Sequence, residues 1–274
     1  VTSPAPLSRL PSGDFIGARS LSVETGGFKV GLWRAALPPE GVHEHVHEDA
    51  HFVLTLDGGY HSLAHDGERP KGGAYRAGSL IWNPPGVEHR DSFEVPGGRF
   101  LSVSFMPTGD LPQGDPSRLS HPRAERAARL LVGRTASFAS GDDIAVESLA
   151  LDMASAVLGA DESGRSLAPP PWLCRARDAI EELAVGPDLE VRDIARIVGV
   201  HPVTLARRYR RHFGHTPGAA IRRARINRAI AALTRGAQLA DLAAATGYAD
   251  QSHLTREIRA FYGLSPKQLR AAFG

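Results

Sequence analysis

The sequence predicts a two-domain α+β protein: an N-terminal β-barrel with accompanying helices, then an all-α C-terminal domain holding two helix-turn-helix motifs. Three observations carry this expectation. Turn signals recur at roughly 12-residue intervals between Phe15 and about Phe105, as in an antiparallel sandwich or small barrel. Helical periodicity takes over beyond residue 122. Near the C-terminal end, one segment with the layout of a helix-turn-helix occurs twice.

In chain order, residues 1–14 are rich in proline and serine and read as a disordered lead-in. Residues 15–106 form the barrel, its strands broken at Gly26-Gly27, Pro38-Pro39, Asp57-Gly58-Gly59, Gly72-Gly73, Pro84-Pro85-Gly86 and Pro96-Gly97-Gly98. Residues 107–159 form a helical segment that starts with an irregular connection up to residue 121. Its second helix, 142–159, has two apolar faces: Ile144, Leu151 and Leu158 on one, Val146, Leu149, Met153 and Val157 on the other. One could pack on the barrel and the other on a second subunit, giving a homodimer; a helix wholly buried within one chain is the alternative. Residues 160–171, ending in three prolines, read as a linker. The C-terminal domain spans 172–274, its first helix packing through Leu173, Ala176, Ile180 and Leu183.

The two motifs are expected at 191–212 and 239–261. In the second, Ala243 sits where the helices approach most closely, and Gly247 takes a turn whose left-handed backbone disfavours any residue with a Cβ. Leu254, Ile258 and Phe261 face inward, leaving Gln251, Ser252, His253, Thr255, Arg256 and Arg259 on the outer surface. Ser265-Pro266 then starts a last helix. In the first copy Asp193, Ala195 and Gly199 match Asp241, Ala243 and Gly247 at an offset of 48, and Leu205, Arg207, Phe213 and Pro217 match Leu254, Arg256, Tyr262 and Pro266 at 49. A helix from Thr216-Pro217 to about Thr234 would separate the two by about 27 Å, close to the roughly 34 Å repeat of duplex DNA. Both second helices could then enter successive major grooves.

Charge divides along the same boundary. Residues 172–274 hold 17 Arg or Lys against 9 Asp or Glu, whereas residues 1–171 hold 15 against 21, so a net +2 conceals a basic tail of +8. That is the balance expected of a polyanion reader attached to an acidic partner. The single cysteine, Cys174, excludes an intramolecular disulfide and a multi-cysteine zinc site. No stretch approaches 18 consecutive apolar residues and no signal-like segment opens the chain, so a cytoplasmic protein without membrane association is expected.

The segments Asp193-Ile-Ala-Arg-Ile-Val-Gly199, Leu205-Ala-Arg-Arg-Tyr209, Phe213-Gly-His-Thr-Pro217, Gly247-Tyr-Ala-Asp-Gln-Ser-His-Leu-Thr-Arg256 and Phe261-Tyr-Gly-Leu-Ser-Pro266 resemble the DNA-binding domain of AraC/XylS-family transcription regulators over about 100 residues. The resemblance implies double-stranded DNA as partner, with Val203, Thr204, Arg207, Arg208 and Arg211 from the first reading helix and Gln251, Ser252, His253, Thr255 and Arg256 from the second at the interface. Val203, Thr204 and Ala206 offer little hydrogen bonding, so Arg207 and its neighbours would carry most base reading in the first. Arg210, Arg211, Arg222, Arg223 and Arg259 are expected to position phosphates or to be solvated.

Seven of the twelve histidines lie between residues 43 and 89. On a strand His45 and His47 point to the same face and could share one metal ion, given further ligands. The pattern His45-x-His47-xxx-His51-xxxxxx-Gly58 with Gly78-xxxxx-Pro84-x-Gly86-xx-His89 resembles the two motifs of the cupin superfamily, so the barrel is expected to be cupin-like. His51 stands where metal-binding cupins carry glutamate, and Phe93 where an asparagine often ends the second motif. A site of His45, His47, His51 and His89 would be all nitrogen, suiting zinc, nickel, copper or iron. The resemblance equally admits a small organic effector and no metal. His43, His61 and His65 are expected at the surface or behind the ligands, and Glu44, Glu48, Asp49 and Glu88 as solvated charges.

These readings lead to a ligand- or metal-responsive, sequence-specific DNA-binding regulator. The alternative is a metal-dependent cupin enzyme fused to a DNA-binding domain. No separate acid, base or nucleophile constellation is apparent, so no catalytic residue is assigned and the chain is read as not an enzyme.

Overall fold

The computed structural model describes residues 8–66, 69–106, 111, 114–139, 142–158, 169–185 and 188–273. Two sheets form the N-terminal unit. The first has the order β1 (Ser8–Leu10), β4 (His45–His47), β9 (Glu88–Phe93), β6 (Tyr60–Asp66), β7 (Arg69–Tyr75). The second runs β11 (Ser117–Arg118), β8 (Leu80–Asn83), β5 (Ala50–Thr55), β10 (Arg99–Phe105), β3 (Phe28–Ala35), β2 (Gly17–Thr25). All pairings are antiparallel except β1 with β4.

The second sheet is covered on both faces, which is why β5 is buried throughout without alternating. Val53, Ile81 and Phe100 turn inward and pack with Tyr60 and Phe93 of the first sheet. Phe52, Leu54, Leu101 and Val103 turn outward against helices α1 (Pro122–Ala136) and α2 (Asp143–Leu158). On α2, Val146, Met153 and Val157 are buried, while Ile144, Leu151 and Leu158 stay 80%, 51% and 49% exposed. The two expected faces therefore separate into one packed face and one open to solvent.

The C-terminal unit follows as α3 (Pro171–Leu183), α4 (Val191–Ile197), α5 (Pro202–Phe213), α6 (Pro217–Thr234), α7 (Leu239–Ala245), α8 (Gln251–Tyr262) and α9 (Pro266–Ala271). Thr216 and Ser265 cap α6 and α9 through side chains that accept from Ala219 N and Gln268 N. Gly199 and Gly247 have φ of +71° and +78° in the two motif turns, as the sequence requires.

One hydrophobic core runs across both units: Ala128, Leu131 and Val132 of α1 share a cluster with Leu254, Ile258 and Tyr262 of α8 and Phe273. Gly133 makes this approach possible, since a Cβ there would overlap the carbonyl oxygen of Tyr262. The first motif has its own core, around Leu173, Ile180, Ile194, Leu205 and Phe213.

Several expectations need correction. Residues 8–14 are not a disordered lead-in: Ser8–Leu10 pair with His45–His47, and Gly13 N donates to Asp49 at 2.7 Å. The connection before residue 122 contains β11, which the sequence leaves irregular because two residues carry no periodicity. Pro171 belongs to α3 and not to the linker, whose residues 160–168 lie outside the described set, as do 1–7 of the lead-in. Leu183 is 43% exposed and Ala184 is buried in its place. Tyr262, not Phe261, is the fully buried aromatic at the end of α8, while Phe261 is half-buried beneath the Arg129 guanidinium.

Candidate nucleic-acid interface and histidine centre

The two reading helices have the same build. Leu205, Tyr209 and Phe213 of α5 are buried, as are Leu254, Ile258 and Tyr262 of α8. The opposite face of α5 exposes Val203, Arg207, Arg208, Arg210 and Arg211, with Thr204 half-buried. On α8, Gln251, Ser252, Arg256 and Arg259 are exposed, while His253 and Thr255 are half-buried. The Thr255 hydroxyl donates to Gln251 O at 2.8 Å, and His253 N donates to the Asp250 carboxylate at 2.7 Å. His253 also stands edge-on to Tyr248, which fixes its direction. Among the described residues, Arg207, Arg208, Arg211 and Arg256 form no ion pair. Guanidiniums left free on a helix face are available to base edges and phosphates. Arg223 is different: it pairs with Glu125 of α1 and is neither solvated nor open to a phosphate.

A match to a family described as a helix-turn-helix domain covers residues 194–272. The C-terminal unit is a helix-turn-helix domain. Its paired motifs bear out the resemblance to AraC/XylS regulators in this part of the chain. Solved structures that resemble the chain include the C-terminal domain of AraT, a response regulator from Geobacillus stearothermophilus, at 25% identity and a TM-score of 0.35, over 38% of this chain and 87% of that one. A transcriptional regulator with an AraC-type DNA-binding domain from Chromobacterium violaceum is 26% identical, with a TM-score of 0.36, over 38% and 93%. ToxT from Vibrio cholerae spans 90% of this chain and 98% of its own at 12% identity and a TM-score of 0.38. No curated protein matches the chain. No helix among the described residues is long and apolar enough to cross a membrane.

The second candidate site lies between the two sheets. His45 and His47 come from β4, His89 from β9 and His51 from β5, so the cluster bridges the sheets, with the bend at Glu48-Asp49 carrying the chain from one to the other. All four are at most 2% exposed. Ring centroids are 4.3 Å apart for His47 and His51, 4.9 Å for His45 and His89, 5.1 Å for His45 and His47, and 5.4 Å for His47 and His89. Imidazoles sharing one ion at 2.0–2.1 Å would have centroids roughly 5 Å apart.

Hydrogen bonding orients the rings. Nδ1 of His45 donates to His43 O at 3.0 Å and Nδ1 of His89 to Val87 O at 2.8 Å, which makes Nε2 the lone-pair nitrogen of each ring in its neutral form. Both nitrogens of His47 and of His51, and Nε2 of His89, are buried without a hydrogen-bond partner among the described residues. Burial first, then neighbouring imidazoles, holds His47 and His51 well below the ordinary histidine value, and burial also lowers His45. These three are neutral, the form that ligates. On His89 burial is the largest influence and acts downward, but the Asp91 carboxylate and the Val87 carbonyl together raise the pKa.

Two carboxylates join the cluster that the sequence reading does not place there. Asp49 is not solvated but fully buried, its Oδ1 3.9 Å from His51 Nδ1. Oδ2 of Asp91 lies 3.4 Å from His89 Nε2, and both its oxygens lack a hydrogen-bond partner among the described residues. Asp91 follows His89 by two on one strand, so the alternation that pairs His45 with His47 could have found it. Asp49 depends on the bend and had no such signal. Of the other histidines, His43 is exposed and His61 pairs with Glu94 at 3.1 Å, while the His65 side chain is outside the described set. Glu48 and Glu88 are exposed, as expected.

Proposed function

We propose that the protein is a cytoplasmic, sequence-specific DNA-binding transcription regulator whose N-terminal unit senses a metal ion or small molecule. The observation that carries the DNA-binding part is the pair of like-built reading helices, each with unpaired arginines on its outer face. Helix α6 has 18 residues, a length of about 27 Å that suits two half-sites one DNA turn apart.

For the sensing part, buried imidazole nitrogens without hydrogen-bond partners among the described residues favour a transition metal. His45, His47 and His89 would hold zinc, nickel, copper or iron as one close group; His51 falls in a group with His47 and Asp49 and in another with His89 and Asp91, and not in one with His45. The exposed stripe Ile144, Leu151, Leu158 repeats every seven residues, which favours a homodimer through α2. A regulator and not an enzyme is the reading these parts support together. Selection of bound sequences from random DNA, with and without added zinc or nickel, tests it. Enrichment of paired half-sites is expected, with an affinity that changes on metal addition; no enrichment in either arm would overturn the DNA-binding reading.

A further inference from the structure

Where the two units meet they enclose a cleft of about 510 Å³, lined by none of the four clustered histidines. One wall comes from strand-connecting residues of the β unit, including Asp57, Arg76 and Gly78, and the other from α3, α5 and α6, including Ile180, Tyr209, Phe213 and Arg228. Its volume lies within the range of small-molecule sites, about 300–1,000 Å³.

Two guanidiniums of the cleft, those of Arg76 and Arg228, are only loosely met by carboxylates. Among the described residues, six arginines line the cleft (Arg76, Arg118, Arg177, Arg223, Arg228, Arg235) against the carboxylates of Asp57, Glu94, Glu125 and Glu181. Two of those carboxylates already serve two guanidiniums each. Asp57 accepts from Arg235 at 3.0 Å and from Arg99 at 3.3 Å; Glu125 pairs with Arg223 and stands 3.9 Å from Arg129. Glu94 is engaged by His61. Arg118 pairs with Glu181, and Arg177 with Asp178 at 3.1 Å. Arg228 donates to the carbonyls of Glu181 at 2.6 Å and Glu182 at 2.8 Å, and among the described residues Arg76 meets only the exposed Glu182 carboxylate, at 4.0 Å. Burial and then the like charge of Arg76 depress the pKa of Arg228, against an upward pull from Glu182.

We propose that this cleft binds a small organic anion carrying at least two negative charges on an apolar or aromatic body, its charge met by Arg76 and Arg228 and its body by Ile180, Tyr209 and Phe213. Guanidiniums recognise planar carboxylates in bidentate fashion, and the apolar wall supplies the burial that orients the remainder. Tyr209 and Phe213 are the inward side of α5, whose outward side carries Arg207 and Arg208. An occupant therefore touches the helix that reads DNA, a coupling that rests on the function proposed above; binding itself does not.

Calorimetric titration of the full chain with naphthalene-2,6-dicarboxylate tests the site, with naphthalene-2,6-dimethanol as the neutral counterpart. Saturable 1:1 binding with a dissociation constant of about 1 mM or tighter is expected, at least about tenfold weaker for the diol. The pair Arg76→Gln and Arg228→Gln should weaken the dicarboxylate by about tenfold or more. Ala224→Phe, which fills the cleft without removing charge, should weaken it independently. Failure of the dicarboxylate to bind, equal binding of the diol, or indifference to both sets of variants would each overturn the site. In the same samples, a changed operator affinity on adding dicarboxylate supports the coupling and an unchanged one refutes it. Loss of all DNA binding would refute the regulator reading while the titration still judged the site.

Discussion

Arg235, one residue past the end of α6, donates from Nε to Oδ1 of Asp57 at 3.0 Å, joining positions 178 residues apart in the chain. Asp57 is fully buried and its other oxygen accepts from the backbone N–H of Arg99 at 2.8 Å. One carboxylate thus fixes both a strand end of the β unit and the helix that separates the two DNA-reading motifs.

Asp57→Asn should destabilise the chain by about 2–3 kcal/mol, below the figure for a wholly buried pair because Arg235 is 43% exposed. Arg235→Gln should cost under about 1 kcal/mol. Urea unfolding measures both, and equal losses would contradict the asymmetry of burial.

Gly133→Ala is the reverse of an ordinary helix substitution. Replacing a mid-helix glycine by alanine normally gains about 1 kcal/mol. Here the added Cβ meets the backbone of Tyr262, so a loss of about 1–3 kcal/mol is expected, with faster amide exchange in α8. A stabilised variant would show that the α1–α8 contact is not tight.

Leu151→Glu, on the exposed stripe of α2, should convert a dimer into a monomer in sedimentation while leaving the melting temperature within a few degrees. An unchanged sedimentation coefficient would remove α2 from the interface.

Arg256→Ala should reduce operator affinity by about 1–3 kcal/mol and relax preference at one base pair, because a free guanidinium on the outer face of α8 suits a guanine edge. Arg223→Ala should instead act on stability, through Glu125. Binding titrations beside thermal melts separate the two effects.

His47→Ala should abolish stoichiometric transition metal in protein purified without chelator, whereas His43→Ala, at an exposed position, should leave it intact. Elemental analysis decides. Wild-type protein that carries and takes up no such metal would return the cluster to a purely organic-effector site.

The chain by itself determined the elements and most of the chemistry. Local signals sufficed for the two motifs, because helical periodicity, the turn glycines Gly199 and Gly247 and the proline caps each act within a few residues. Side-chain alternation made His45 and His47 legible as a pair, whereas His51 and His89 joined them through the resemblance to the cupin motifs. Tertiary structure alone decided which charges are buried. Asp49 and Asp57 look like any acidic turn residue in sequence, yet both have fully buried side chains, since burial follows from which distant segments pack over a position. The same holds for Arg223 and Gly133, whose roles appear only once α1 lies against the helix-turn-helix domain: contact across a long loop of chain leaves no local pattern to read.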